Sequence, residues 1–256
     1  MKSCIILTHQ FIAPDTSNRK KYGSAGEWGG GDEWKEKVFD FCIEHHRRNN
    51  PNDFIIVTGH GKKPSKNILD KADQYYWSED IIEGEINYGH PFLVSKGLSI
   101  ARENRIEYAC KTRIDTVNLI KNINEYCKNK LDTYNKRILN TWYCKNRYLL
   151  MDLFNYGSVE DLTKLYEHED WKVEWSIDGT GPVAKNYVTN ILKKDLQFPF
   201  DQKKWHEMVN QEIYFCSPDE LRWIDLRKHN HLVGKNNKDL NENNFDKLKN
   251  YTWRHY

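Results

Sequence analysis

The chain alternates short, unbroken apolar runs with stretches of helical periodicity. Ser-Cys-Ile-Ile-Leu-Thr-His at 3–9 and Phe-Ile-Ile-Val-Thr at 54–58 lack any polar alternation. So does the run over 106–112 that carries Tyr108, Ala109 and Cys110. Such runs are what strands look like when a parallel sheet buries them on both faces. Between the first two, Trp34, Val38, Phe41 and Cys42 recur every three or four residues, predicting a helix from an Asp32 cap to about Arg48. Asn49 to Asp53 ends it with turn chemistry. Phe92, Val94, Leu98 and Ala101 predict a second helix over 91–103, after Gly89-His90-Pro91, and residues 65–85 read as mixed helix. Strand, helix, strand in this order is a βαβ unit with a parallel sheet.

Beyond Asp115 the pattern is less regular. Val117, Ile120, Ile123 and Cys127 predict a helix from Thr116 to about Leu131. Strands are expected over 137–143 and, more clearly, at Tyr148-Leu149-Leu150-Met151-Asp152, where the run ends in a carboxylate. Phe154 to Ser158 reads as a turn, and Ser158-x-x-Asp161 as a capping-box-like helix start reaching about Glu167. Residues 171–177 alternate like a half-exposed strand, and a helix with Pro182 in its first turn runs to about Lys194. After 196 the sequence is patchy, with one or two short strands expected around Ile213 to Cys216. The expected organisation is a core over 1–195 with an extension, 196–256, packed on it.

Composition narrows the class. With 256 residues the chain can bury a sizeable core. Its 39 Lys and Arg against 37 Asp and Glu leave a net charge of +2, which gives no global drive towards nucleic acid or anionic membranes. No window has the apolar length of a membrane span, and residues 1–9 lack a signal cleavage site, so a cytoplasmic protein is expected, or one peripheral at a membrane. Six cysteines with no C-x-x-C read as free, mostly buried thiols. Residues 10–31, with Gly23, Gly26, Gly29, Gly30 and Gly31, form a long aperiodic stretch that is either a lid or a surface excursion. They do not make a P-loop, and G-x-G-x-x-G is absent.

Candidate chemistry gathers at strand ends. Thr8-His9 ends the first strand, Gly59-His60-Gly61 the second, Lys111-Thr112-Arg113-Ile114-Asp115 the third, and Asp152 a later one. In an open parallel sheet these ends share one edge, where ligands bind. Lys111, Arg113 and Asp115 alternate onto one strand face. Two readings follow: a salt-bridged strand end reaching solvent, or a ligand site whose cations suit phosphate and whose carboxylate suits a metal or a ribose hydroxyl. The glycines beside His60 would let backbone approach a ligand. Asp178, just before a Pro-started helix, reads as an N-cap, as a general base, or as both. Trp28, Trp171 and Trp175 are candidates for stacking on sugars as well as for core packing. His45-His46 with Arg47-Arg48 reads as positive charge at a helix C-terminus.

Several motifs occur in order: Asn87-Tyr88-Gly89-His90-Pro91, Gly97-Leu98-Ser99-Ile100-Ala101, Lys111-Thr112-Arg113-Ile114-Asp115, and Met151-Asp152-Leu153-Phe154 with Gly157 and Asp161-Leu162. Over about residues 50–195 the chain resembles the WavE-type lipopolysaccharide-synthesis proteins, a family assigned as glycosyltransferases. The resemblance implies an α/β, GT-A-like single domain. Its Rossmann-like, mostly parallel central sheet would be flanked by helices and followed by an irregular C-terminal segment. It also implies a nucleotide-sugar donor, and the strand-end residues Thr8, His9, Gly59, His60, Lys111, Arg113 and Asp115 are the candidates to bind it. In GT-A enzymes an Asp-x-Asp at a strand end holds Mn²⁺ or Mg²⁺ on the diphosphate. Here the place reads Arg113-Ile114-Asp115, so either Asp115 takes the metal or Arg113 neutralises the diphosphate directly. The family tends to have an acid where the Pro-started helix begins. This chain has Gly181-Pro182-Val183 there, so the base role moves to Asp178 or Glu174, or is not there; by its chemistry, Asp178 or Asp152 suits the task of taking the acceptor proton.

The expected activity is transfer of a sugar from a nucleotide sugar to a glycan or lipid-linked acceptor, with no nucleic acid among the partners. The alternative is a non-catalytic carbohydrate- or nucleic-acid-binding module. It is motivated by the Lys- and Asn-rich C-terminal segment with Trp205, Trp223, Trp253 and Tyr256.

Overall fold

The computed structural model describes residues 2–9, 31–79, 89–141, 143–144, 149–150, 154–167, 181–195, 202–217 and 220–225. The three apolar runs form the middle of a seven-stranded sheet: β1 (Ser3–His9), β2 (Phe54–His60) and β4 (Tyr108–Arg113), with β1 pairing parallel to both others. β3 (Gln74–Ser78) adds a parallel edge to β2. On the other side lie β9 (Phe154–Ser158), β6 (Ile138–Asn140) and β10 (Ile213–Phe215), giving the order β10-β6-β9-β4-β1-β2-β3. β9 alone among these runs antiparallel, to both β4 and β6. β10 is parallel to β6 and closes the far edge. The architecture is therefore α/β with a mostly parallel sheet, as expected.

Helices cover both faces, because strands buried on two sides need apolar partners on each. One face packs α1 (Gly31–Asn49), the single turn α2 (Lys66–Leu69) and α4 (Ile123–Tyr134) against Ile5, Leu7, Ile55, Val57 and Cys110. The other packs α3 (Gly89–Glu103) and α5 (Val159–Tyr166) against Cys4, Ile6, Ile56 and Ala109. It also takes α6 (Gly181–Asn186), which continues as a π-helical turn over Tyr187–Ile191, and α7 (Gln202–Glu212). The Gly97-Leu98-x-x-Ala101 string has a packing cause. A Cβ at Gly97 would lie 2.5 Å from the Ile6 Cγ2, so glycine lets α3 settle onto β1, while Leu98 and Ala101 complete the buried stripe. Ser158 caps α5 by accepting a hydrogen bond from the Asp161 amide, as its motif predicts.

Four expectations are corrected. Residues 65–85 are not mainly helical: after α2 the chain forms β3, whose Tyr75, Tyr76 and Trp77 suit a pleated edge better than a helix. Thr116 begins a short strand, β5 (Thr116–Asn118), antiparallel to β11 (Trp223–Asp225), and the helix starts only at Ile123. Within the run expected to end at Asp152, the described residues Leu149–Leu150 (β8) pair with Tyr143–Cys144 (β7) in a separate two-stranded ribbon. Phe154 to Ser158 is a sheet strand, not a turn: Asn155 and Gly157 alternate with the buried Phe154 and Tyr156.

His45 and His46 are not solvent-facing cations. Both are buried, His46 completely, and its Nε2–H donates to the Thr116 carbonyl at 3.2 Å. Burial, aided by the neighbouring His45, pulls its pKa down to about 3. The unfolded chain therefore takes up a proton near pH 6.5 that the folded chain refuses until near pH 3. Stability is full above that window and declines as pH falls through it. The expected loss attributable to His46 is about 1.4 kcal/mol per pH unit below pH 6. Urea unfolding between pH 7 and 4 should show this slope in the wild type and a flatter one in His46→Gln.

The five described cysteines, Cys4, Cys42, Cys110, Cys127 and Cys216, are buried and outside any disulfide, and burial pushes the Cys110 and Cys127 thiols well up. No helix among the described residues is long and apolar enough to cross a membrane.

Candidate functional site

The register places the predicted strand ends at one edge but divides them between two faces. Cys4, Ile6 and Ala109 belong to the core under α3 and α5, so alternation puts Thr8, Lys111 and Arg113 on that face. Thr58 and His60 follow Ile56 onto it along β2. Thr8 stands opposite both Arg113 and Thr58. His9 and Gly59, paired with each other, fall on the α1 face.

The β4 end is a built feature. Arg113 Nε donates to the Asp115 Oδ1 at 3.0 Å and Nη2 to Oδ2 at 2.6 Å, a bidentate pair. The Asp115 side chain is 1% exposed and that of Arg113 19%. The turn between them is pinned from several sides. The Ile114 amide donates to the Thr8 carbonyl at 3.0 Å, Thr116 Oγ1 to the Arg113 carbonyl at 2.8 Å, and Thr112 and Thr116 share a hydroxyl contact of 2.9 Å. Both readings of this stretch thus meet in one structure. The salt bridge exists, and it holds a partly exposed cation at the carboxyl end of the sheet.

One step deeper on the same face lies a polar row, of which sequence reasoning found Lys111 but missed Asn155 and Asn140. Lys111 is fully buried and stands directly opposite Asn155 of β9. Asn155 accepts from Asn140 Nδ2 of β6 at 2.7 Å and donates to the Tyr166 hydroxyl of α5 at 3.0 Å. Three adjacent strands thus carry buried polar side chains where an apolar row would pack equally well. The available signal was the alternation Phe154-Asn155-Tyr156-Gly157, masked by the turn preferences of Asn and Gly. Further out, Thr58 Oγ1 and both ring nitrogens of His60 are buried without a hydrogen-bond partner, and burial lowers the His60 pKa. Unsatisfied buried groups are uncommon and gather at functional positions.

The α1 side of the edge is already filled. The Trp77 indole lies over Gly59, where a Cβ would come within 2.3–2.7 Å of its ring carbons, and Trp77 Nε1 donates to the Gly61 carbonyl at 2.8 Å. The close approach that Gly59 permits is therefore to Trp77. His9 is sandwiched there, stacked on Trp77 at 5.7 Å and edge-on to Phe39 at 4.5 Å. Gly61 needs its glycine for a positive φ of 83°.

Asp152 and Asp178, the candidate bases, lie outside the described residues, as do Trp28, Trp171, Trp175 and residues 10–30. As for a divalent ion, both Asp115 oxygens are taken by Arg113. Among the described residues no three His, Cys, Asp or Glu side chains gather as metal ligands. The described donor set does not fit a metal.

No family model matches the chain, and no curated protein sequence matches it. Solved structures overlap with it at low identity, among them the following three. A cytidylyltransferase from Leptospira borgpetersenii serovar Hardjo-bovis is 12% identical, with all of both chains covered, at a TM-score of 0.44. A glycosyltransferase involved in glycosylation of the major capsid of PBCV-1 is 11% identical, covering 85% of this chain and 83% of its own, at 0.42. A protein from Desulfovibrio desulfuricans G20 described as a nucleotide-diphospho-sugar transferase is 9% identical, covering 84% of this chain and all of its own, at 0.42. Overlaps of this extent do not assign an activity, which has to come from the site.

Proposed function

We propose that the chain is a nucleotide-sugar-dependent glycosyltransferase whose donor diphosphate lies at the carboxyl edge of the sheet, against Arg113. One observation carries this reading: a guanidinium fixed in a bidentate clamp at the end of the central strand β4, beside a row of buried polar side chains. In the transfer, the bond between the anomeric carbon and the diphosphate oxygen breaks, and its electron pair leaves on that oxygen. The acceptor hydroxyl oxygen bonds the anomeric carbon and gives its proton to a base. The sugar passes through an oxocarbenium-like state, so the enzyme's largest task is to stabilise the departing negative charge. Arg113 is proposed for that task. Thr8, Thr58, His60, Lys111 and Asn155 line the same face and are proposed to contact the donor. Asp178 or Asp152 is proposed as the base towards a glycan or lipid-linked acceptor, in a protein that works in the cytoplasm or at a membrane surface.

The test is a thermal-shift panel of UDP-, GDP-, CMP- and dTDP-sugars. At least one donor is expected to raise Tm by several degrees when present at about 100 times its Kd, since ligation at that excess contributes about 2.7 kcal/mol. A flat panel, with hydrolysis of none of these sugars, would overturn the assignment.

A further inference from the structure

We infer that the Arg113–Asp115 pair replaces a divalent metal: the diphosphate is held by the Arg113 guanidinium, and Asp115 is a positioning residue that aims it. This rests on the nucleotide-sugar reading above.

Three observations carry the inference. First, Asp115 is committed. Its two oxygens accept two charge-assisted hydrogen bonds from one guanidinium, and its side chain is 1% exposed. A metal entering there would have to displace both bonds and shed its own water in a buried place. Such an ion demands several oxygen ligands, and among the described residues no three His, Cys, Asp or Glu side chains gather to supply them.

Second, Arg113 is only half used. A guanidinium carries five N–H donors in a planar fork. Asp115 takes one from Nε and one from Nη2, leaving the second Nη2–H and both Nη1–H. No described group takes these three, and the side chain is 19% exposed at the sheet edge. The remaining edge of the fork has the geometry of a bidentate phosphate contact.

Third, the clamp is preorganised. The Ile114 amide is tied to the Thr8 carbonyl of the neighbouring strand, and the Thr116 hydroxyl to the Arg113 carbonyl. The turn that carries both charged residues therefore cannot swing without breaking sheet contacts. Fixing a flexible arginine before the ligand arrives lowers the ordering cost of binding. Holding it beside a carboxylate also lets the protein carry the cation in the empty site, ready for the charge that develops as the diphosphate leaves.

Calorimetric titration of UDP, GDP, CDP and dTDP, each in EDTA and again in Mn²⁺, tests this directly. At least one is expected to bind in EDTA with a Kd within about threefold of its value in Mn²⁺, a difference below about 1 kcal/mol. Binding that appears only with Mn²⁺ would overturn the clamp while leaving the transferase reading intact. No binding in either buffer would overturn both. Variants then separate aiming from metal ligation. Asp115→Asn should weaken EDTA binding by about tenfold or more, the scale of one charge-assisted hydrogen bond. The double variant Arg113→Ala/Asp115→Asn should bind no worse than Arg113→Ala alone, because the aiming role of Asp115 is exerted on Arg113. Additive losses would overturn the positioning role. The wild-type comparison between EDTA and Mn²⁺ needs no variant to fold, so the inference stays open to refutation even if Asp115→Asn is unstable.

Discussion

Alanine in place of Arg113 is expected to reduce nucleoside diphosphate affinity by about a hundredfold, the loss of a bidentate, charge-assisted contact. It is also expected to lower stability. The pair is short and bidentate, and Asp115 is 1% exposed, so removing the guanidinium takes two charge-assisted hydrogen bonds from a carboxylate that water barely reaches. Breaking a buried pair from one side costs about 3–5 kcal/mol. The partial exposure of Arg113 reduces this to about 2–3 kcal/mol, or some 5–10 °C in Tm for a chain of this size. Adding Asp115→Asn should return much of the Tm and none of the affinity. Calorimetry and thermal melts on the three proteins read the two effects separately. Near-wild-type binding by Arg113→Ala would remove Arg113 from the site.

The second large effect concerns Gly59. Alanine there places a methyl carbon 2.3–2.7 Å from three ring carbons of Trp77, which cannot retreat without breaking its bond to the Gly61 carbonyl. Overpacking of this kind costs about 1–3 kcal/mol, so Tm should fall by roughly 3–10 °C. Because Trp77 also stacks on His9, the displacement should reach both β1 and β2 at the edge. Trp77→Leu removes the obstacle. In that background Gly59→Ala should cost far less than in the wild type, a coupling expected only of groups in contact. An equal penalty in both backgrounds would show that the clash is not the cause.

The legible parts of this fold were those with one dominant signal. β1 and β2 are unbroken apolar runs, β4 is an apolar run that ends in charges, and α1 and α3 have clean periodicity between turn signals, so their order and parallel pairing followed directly. The failures occurred where two signals competed. Asn155 and Gly157 have turn preferences, yet β9 is held by pairing on both sides, and tertiary pairing outweighed local propensity. Val117, Ile120 and Ile123 fit a helical stripe, but the first belongs to β5 and only the last to α4. At the site, the alternation of Lys111 and Arg113 onto one face was readable. The separation of His9 and Gly59 from them was not, because it depends on register across three strands rather than on any one. Nor could a sequence show that Arg113 and Asp115 grip each other, since a two-residue spacing is equally compatible with both charges reaching outward.

The inverted strand β9 has a consequence for how such a molecule can diversify. β6 ends at Asn140 and β9 begins at Phe154, one residue pair apart at the ligand edge, because Asn140 faces Asn155. The chain therefore leaves β6 and enters β9 on the side where substrate is proposed to sit, so the segment between them is tethered there at both ends. A parallel strand in the same slot would have needed a crossover returning to the far edge. Exchange of that segment between related chains could alter what is recognised while every strand register stays as it is, which gives selection a replaceable part beside an invariant frame.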